Sequence, residues 1–442
     1  MQVESLQKVL GNDELRSLAI ESGFRCRESK LTPALFFDLL FYASSLSQNS
    51  SLEHLISRLE SVHGIEMKKQ SLNDRFTKKA VNFVKSVLSC LIRAQFSDML
   101  ISEGFLSDFN HVRVKDSTSF KVPDNLAANY SGNGGGLAGI SIQYEFDLKT
   151  GKFLDLTITE ASRNDQRDAS ETVANISEND LIIRDMGYFS APVFWQIDEA
   201  NAFYLSRLPS NLTVYDENWE VIDFGKLKDF MTENKIDKME KEVFVGEIGL
   251  PARLMIGLVP PEVYAERIRR KAMEEKKKGR KTQEKTKLMQ NFNLFITNTD
   301  DQQLPLEKIM VLYRFRWQIE LQFKNWKSLF SIHTLQQMKE DRYITMLYTR
   351  LILIVVCMQI SNCVQSLLSK QGKGILSYTK TLKTLKNNYT DILAIFRSGF
   401  EKAVQLLGKI YRTLSKNHWR ERRNKRENFI ENICLFICIS EI

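Results

Sequence analysis

The pattern that most constrains this chain begins at Asp108, where helix-like periodicity gives way to strands. Val112–Phe120 alternates apolar and polar residues, as expected of a strand with one covered face. Gly139–Leu148 (GISIQYEFDL) follows a glycine-rich turn at Ser131–Gly136. Phe153–Thr159 (FLDLTIT) follows a tight connection at Thr150-Gly151. Three strands joined by turns form a meander. A polar, helical stretch comes next, Asn164–Asn175. Leu181–Arg184 (LIIR) then reads as a short buried strand ending at Asp185, and Met186-Gly187-Tyr188 turns into a helix over Ala191–Ala200. Ala202–Leu205 is a fifth strand. Three antiparallel strands followed by helix, strand, helix and strand require a mixed sheet with helices against it.

That order matches an RNase H-like sheet, and the rest of the chain is arranged around it. Residues 1–107 read as helical, with Pro33 as an early break. Within them Leu52–Leu59, a turn containing Gly64, and Lys68–Val81 resemble a helix-turn-helix. Its second helix would carry Lys68, Lys69, Arg75, Lys78 and Lys79 toward a major groove, the alternative being an ordinary bundle with a basic surface. Residues 206–290 read as a strand-rich insertion, with strands expected at Val221–Phe224, Glu242–Ile248 and Ala252–Leu258 and a charged helix or helical pair over Glu262–Lys287. Asn291–Asn298 returns to strand character, and residues 108–205 with 291–335 make the expected core. Residues 336–442 are again helical. The fold class is therefore mixed α/β: an interrupted core, a helical N-terminal region and a helical C-terminal region.

Charge and cysteine usage narrow the partners. The formal net charge is +8, and Glu262–Lys287 accounts for most of it, with eleven Lys and Arg against five Glu. An excess this lopsided favours an anionic partner, nucleic acid before a membrane surface, with a solvated face as the alternative. A second basic stretch is Lys409–Arg426. The six cysteines form no CxxC pair and the five histidines are dispersed, so a zinc site or disulfide framework is not expected. Cys434 and Cys438 lie one helical turn apart in an apolar tail and read as buried thiols. The N-terminus lacks a signal-peptide layout, and the apolar run Leu351–Met358 is too short to span a bilayer, so a soluble, cytoplasmic protein is expected.

Three acids stand where acids are costly or informative. Asp116 lies mid-strand in VKDSTSF, and Asp185 ends the strand in IIRDMGYF, where side chains tend to form sites. Glu320 lies in Tyr313–Lys327 (YRFRWQIELQFKNWK). Read as one helix, this stretch gathers Tyr313, Arg316, Glu320 and Lys327 on a single face. A carboxylate flanked by two cations and a phenol suits a metal ion beside a phosphodiester. The bland alternative is a solvated stripe with i,i+4 Arg–Glu support.

Together these residues resemble the DDE transposases of bacterial insertion sequences, and more narrowly the insertion-sequence-four family. Its third acid sits in a Tyr-(2)-Arg-(3)-Glu-(6)-Lys signature, complete here as Tyr313, Arg316, Glu320 and Lys327. Asp116-Ser117-Thr118 and Asp185-Met186-Gly187-Tyr188 match the first- and second-acid motifs. The likeness covers roughly residues 108–330. It implies an RNase H-like catalytic core with Asp116, Asp185 and Glu320 as catalytic metal ligands. Two divalent metal ions are implied, normally magnesium with manganese able to substitute. Tyr313, Arg316 and Lys327 would contact DNA. It further implies double-stranded DNA as partner, both transposon ends and target, a homodimer in the DNA complex, a nucleoid-associated bacterial location, no membrane, and cut-and-paste movement. A tryptophan of the insertion domain handles hairpin DNA in some relatives; the only one in residues 206–290 is Trp219.

The chemistry agrees with the resemblance. Hydrolysis of a phosphodiester and joining of its 3′-hydroxyl are both in-line displacements at phosphorus. Hard oxygen ligands suit metals that serve both, so no Ser-His or Cys-His pairing is needed. Two alternatives remain at this level: an RNase H-like nuclease that cuts without joining, and an inactive DNA-binding descendant.

Overall fold

Among the described residues nine strands form where the sequence alternates or runs apolar. They are β1 (Val112–Lys121), β2 (Gly139–Asp147), β3 (Phe153–Glu160), β4 (Leu181–Arg184), β5 (Phe203–Arg207), β6 (Val214–Tyr215), β7 (Lys238–Val245), β8 (Leu250–Leu258) and β9 (Phe292–Thr297). The computed structural model describes residues 3–24, 29–46, 50–95, 106–279 and 281–420. Cys26, Cys434, Cys438, the apolar tail and residues 421–426 of the second basic stretch lie outside them. Two compact units result. One comprises the described residues of Met1–Ile101, Thr118–Ser162 and Glu320–Ile442, the other those of Ser102–Ser117 and Arg163–Ile319.

In the second unit the hydrogen-bonded order is β1-β4-β5-β9-β8-β7-β6. β4 pairs in parallel with β1 and β5, and every later pairing is antiparallel. All four residues of β4 are buried, which is why Leu181–Ile183 run apolar without alternation. After β5 the chain makes β6, β7 and β8 before returning as β9, which hydrogen-bonds both β5 and β8. One core cluster follows that path, from Ile182 and Tyr204 through Leu254 to Ile296.

The strand expected over Val221–Phe224 is not formed. Only Val221 bridges, to Tyr215, and Phe224–Glu233 is a helix. The Asp223 carboxylate caps it, accepting the N–H groups of Gly225 (2.8 Å) and Lys226 (3.2 Å). The charged stretch is a helical pair, Pro261–Lys278 and Glu284–Met289, parted at Gly279 in the left-handed conformation (φ 64°).

The first unit is mainly helical. β2 and β3 form an antiparallel hairpin, and all nine β2 residues are buried. Tyr144 of β2 meets Trp326 (ring centroids 4.9 Å) and Phe323 (6.1 Å). The helix Glu340–Lys370 packs against Lys78–Arg93 and Pro33–Ser45. It contains the run Leu351–Met358 and is long and apolar enough to cross a membrane, but 78% of its most apolar 18-residue window is buried inside the protein. The described residues of the N-terminal region contain the helices Val3–Leu10, Asn12–Glu21, Pro33–Ser45 and Leu52–His63, and one expected helix differs. Lys68–Val81 is not a single helix but a short one, Lys69–Asn73, and the start of Lys78–Arg93. Phe76 turns inward between them, fully buried and 5.5 Å from the Phe36 ring, so burial of this aromatic breaks the expected recognition helix.

Candidate active site

The parallel pairing of β1 with β4 places two acids side by side. Lys115 is register partner of Arg184, so the next residues, Asp116 within β1 and Asp185 just past the end of β4, stand at the same level. Both strands are held by what precedes the acids. Val112, Val114, Ile182 and Ile183 are buried, and the buried Lys115 ammonium pairs with buried Asp168 at 2.7 Å. Beyond Arg184 the chain turns at once into a short 3-10 segment, Met186–Tyr188, which leaves the Asp185 side chain 44% exposed.

Two carboxylates this close repel unless a cation lies between them. Arg316 supplies it: Nη1 donates to Asp116 Oδ2 at 3.0 Å, and Nε lies 3.8 Å from Asp185 Oδ1. Its side chain is 14% exposed and that of Asp116 17%, so water screens the pair only weakly. Asp116 Oδ1 accepts the N–H of Ser117 at 2.8 Å, which fixes the carboxylate at both oxygens. Tyr313 donates its hydroxyl to Asp185 Oδ1 at 3.3 Å, while its ring packs edge-on against Phe295 of β9. Burial first, and then the charge of Asp185, pushes the Tyr313 phenol well above its ordinary pKa and keeps it a neutral donor.

The stretch read as one helix over Tyr313–Lys327 is two, Leu306–Arg314 and Trp317–Phe330. The i→i−4 ladder gives way to i→i−3 bonds, with Phe315, Arg316, Gln318 and Ile319 donating to Leu312, Tyr313, Phe315 and Arg316. Phe315 and Ile319 are buried at this joint, and the break reorients Arg316. Tyr313 and Arg316 thus belong with Asp116 and Asp185 in the second unit. Glu320 and Lys327 belong to the first. There Glu320 is exposed in the opening turn of Trp317–Phe330. Lys327 donates to the Ser119 carbonyl at 3.3 Å, and burial pushes its ammonium below the ordinary lysine pKa.

Sequence reasoning missed Asp165 and the function of Ser117. Ser117 Oγ donates to Asp165 Oδ1 at 3.0 Å. Asp165 opens a helix capped by Asn164, and an acid in a first helical turn carries no distinguishing signal. In the insertion, Trp219 is 55% exposed at left-handed backbone (φ 60°) and stacks on Phe244, centroids 4.6 Å apart.

The donor chemistry of Asp116, Asp185 and Glu320 fits hard divalent cations, and the Arg316 guanidinium already shows the first two carboxylates sharing one cation. Among the described residues no group of three or more His, Cys, Asp or Glu is gathered to hold a metal ion as it stands.

Comparison with known proteins adds an independent finding. A family model described as "Transposase DDE domain" matches residues 108–356. The transposase for insertion sequence element IS231B of Bacillus thuringiensis subsp. berliner is 31% identical over 448 residues, covering 97% of this chain and 94% of that protein. The transposase for insertion sequence element IS1151 of Clostridium perfringens is 26% identical over 447 residues, covering 96% and 93%. Among solved structures, the cryo-EM structure of the piggyBac transposase synaptic complex with hairpin DNA matches 97% of this chain and 88% of its own, at 12% identity and a TM-score of 0.46.

Proposed function

The chain belongs to the transposase DDE-domain family and is a DNA transposase, and on that premise we propose how it works. It binds the terminal inverted repeats of an insertion sequence, cleaves the ends, and joins them to target DNA by a cut-and-paste route. Asp116, Asp185 and Glu320 are its catalytic acids, on an RNase H-like core interrupted by the strand-rich residues 206–290. The observation that carries this reading is the β1–β4 register, which sets Asp116 and Asp185 level with one another, bridged by Arg316.

The three carboxylates would hold two divalent metal ions, magnesium or manganese. When bound, these supply charge neutralisation at the attacking and leaving oxygens of an in-line displacement. The protein's own residues do the rest. Ser117 N–H and Arg316 orient the Asp116 carboxylate, and the neutral Tyr313 phenol orients Asp185. Arg316 and Lys327 then turn their donors to phosphate oxygens as DNA enters, with Tyr313 hydrogen-bonding the backbone beside the cleaved strand. The working form is a homodimer on DNA in the bacterial cytoplasm, associated with the nucleoid.

The test is an in vitro reaction on linear DNA carrying the element's own ends, with a supercoiled target. Excised element and end-joined target product are expected, both dependent on magnesium or manganese. Cut ends that never join would instead identify a nuclease.

A further inference from the structure

Asp165 lies outside every acid motif, yet it touches both acid-bearing segments. Its Oδ1 accepts the hydroxyl of Ser117, the residue after Asp116, at 3.0 Å. Its Oδ2 lies against Gly187, two residues after Asp185, where an added Cβ would come within 3.0 Å of that oxygen. Gly187 is followed by Tyr188, whose side chain is fully buried. One carboxylate thus touches the residue after Asp116 and the segment after Asp185. The anchor is firm, because Asp165 starts a helix whose Asn164 cap accepts the Arg167 N–H at 2.8 Å.

We propose that Asp165 is a positioning residue of the phosphoryl-transfer site, a strut that fixes the spacing of Asp116 and Asp185 by holding Ser117 and abutting Gly187. The proposal rests on the assignment of Asp116 and Asp185 as metal ligands. Carboxylates that share an ion must keep their separation within a fraction of an ångström. Hydrogen bonds behind the ligands impose that, and their loss typically costs 10–100-fold in metal affinity or activity.

The experiment measures Mn2+ affinity of the full chain without DNA, from the electron paramagnetic resonance signal of free Mn2+. It is paired with cleavage of end-bearing DNA across a manganese titration. Asp165→Ala should weaken Mn2+ binding about tenfold or more and shift the cleavage curve to correspondingly higher manganese, with end-DNA affinity unchanged. Ser117→Ala removes the same link from the other end with a smaller change of shape and should do likewise. The double variant should be no worse than either single one, because the two residues act as one unit. Asp165→Asn keeps an oxygen acceptor and should recover affinity to within about threefold of wild type. Wild-type Mn2+ affinity in folded Asp165→Ala, or additive losses in the double variant, would overturn the strut. Asp116→Asn is the control for the underlying assignment: if it binds Mn2+ as wild type does, the metal-ligand reading fails instead.

Discussion

Arg316 and the helix Pro261–Lys278 belong to the same compact unit and put positive charge to different uses. Arg316 is 14% exposed, and its donors reach two carboxylates presented by neighbouring strands. The helix buries none of its residues, and Arg269 and Arg270 are 65% and 74% exposed, each paired with Glu266 on their own helix. A cation of the first kind is held in one geometry and acts on particular atoms. Cations of the second kind contribute a salt-screened field and leave geometry to the partner. Arg267 marks the boundary between them. It donates to the carbonyls of Gln290 (3.0 Å) and Phe292 (2.9 Å) and to Asn293 Oδ1 (2.6 Å), fastening the helix to the start of β9. Within this basic stretch, it is a cation that serves the fold.

The largest expected effect lies with the acids beneath Arg316. Asp116→Asn or Asp185→Asn should abolish strand cleavage while leaving end binding nearly intact, because carboxylates without metal repel phosphate. Gel-shift and cleavage assays on one preparation would check this. Loss of specific binding in folded Asp116→Asn would count against its role.

The fixed cations come next. Arg316→Ala and Lys327→Ala should each cost roughly 2–4 kcal/mol in transition-state stabilisation, seen as a fall of about 30- to 1,000-fold in cleavage or joining. They should differ in stability. Removing Arg316 strands Asp116 beside Asp185 and should lower unfolding free energy by about 1–3 kcal/mol. Lys327→Ala removes a single hydrogen bond to the Ser119 carbonyl and should cost about 1 kcal/mol or less. Wild-type transposition by Lys327→Ala would reduce that lysine to a structural contact with the Ser119 carbonyl.

The solvated helix should show itself in salt dependence. Neutralising the exposed Lys276, Lys277 and Lys278 should flatten the slope of log K against log salt by about 0.9 for each DNA phosphate that the helix no longer neutralises. An unchanged slope would leave the stretch as a solvated face. Smallest of all, Glu266→Ala breaks the pairs with Arg269 and Arg270 at the surface and should leave the thermal midpoint unmoved in a melting scan.

The central strands were legible because burial writes itself into sequence. LIIR can be a short buried strand and little else, and its acid then falls at the strand end. The two acids could therefore be named before their register was known. The break at Phe315–Arg316 was not legible, since apolar residues continue through it at helical spacing and only the i→i−3 hydrogen bonds reveal the joint. Lys68–Val81 failed similarly: Phe76 reads as one more periodic apolar residue, and its inward turn depends on Phe36, forty positions away. The helix Phe224–Glu233 had a usable signal, an Asp directly before an amphipathic run, which β-branched neighbours outweighed. Asp165 had none, because its partner Ser117 is 48 positions distant.

The mechanism stands or falls on whether Asp116, Asp185 and Glu320 serve one centre. The direct measurement is anomalous diffraction from crystals of the chain bound to its end DNA with manganese, using a metal-site-preserving DNA that cannot be cleaved. Manganese peaks ligated by all three carboxylates are expected, with Arg316 moved off Asp116 onto a phosphate. Manganese bound without Glu320, or a Glu320 carboxylate turned away from the Asp116–Asp185 pair in that complex, would contradict it.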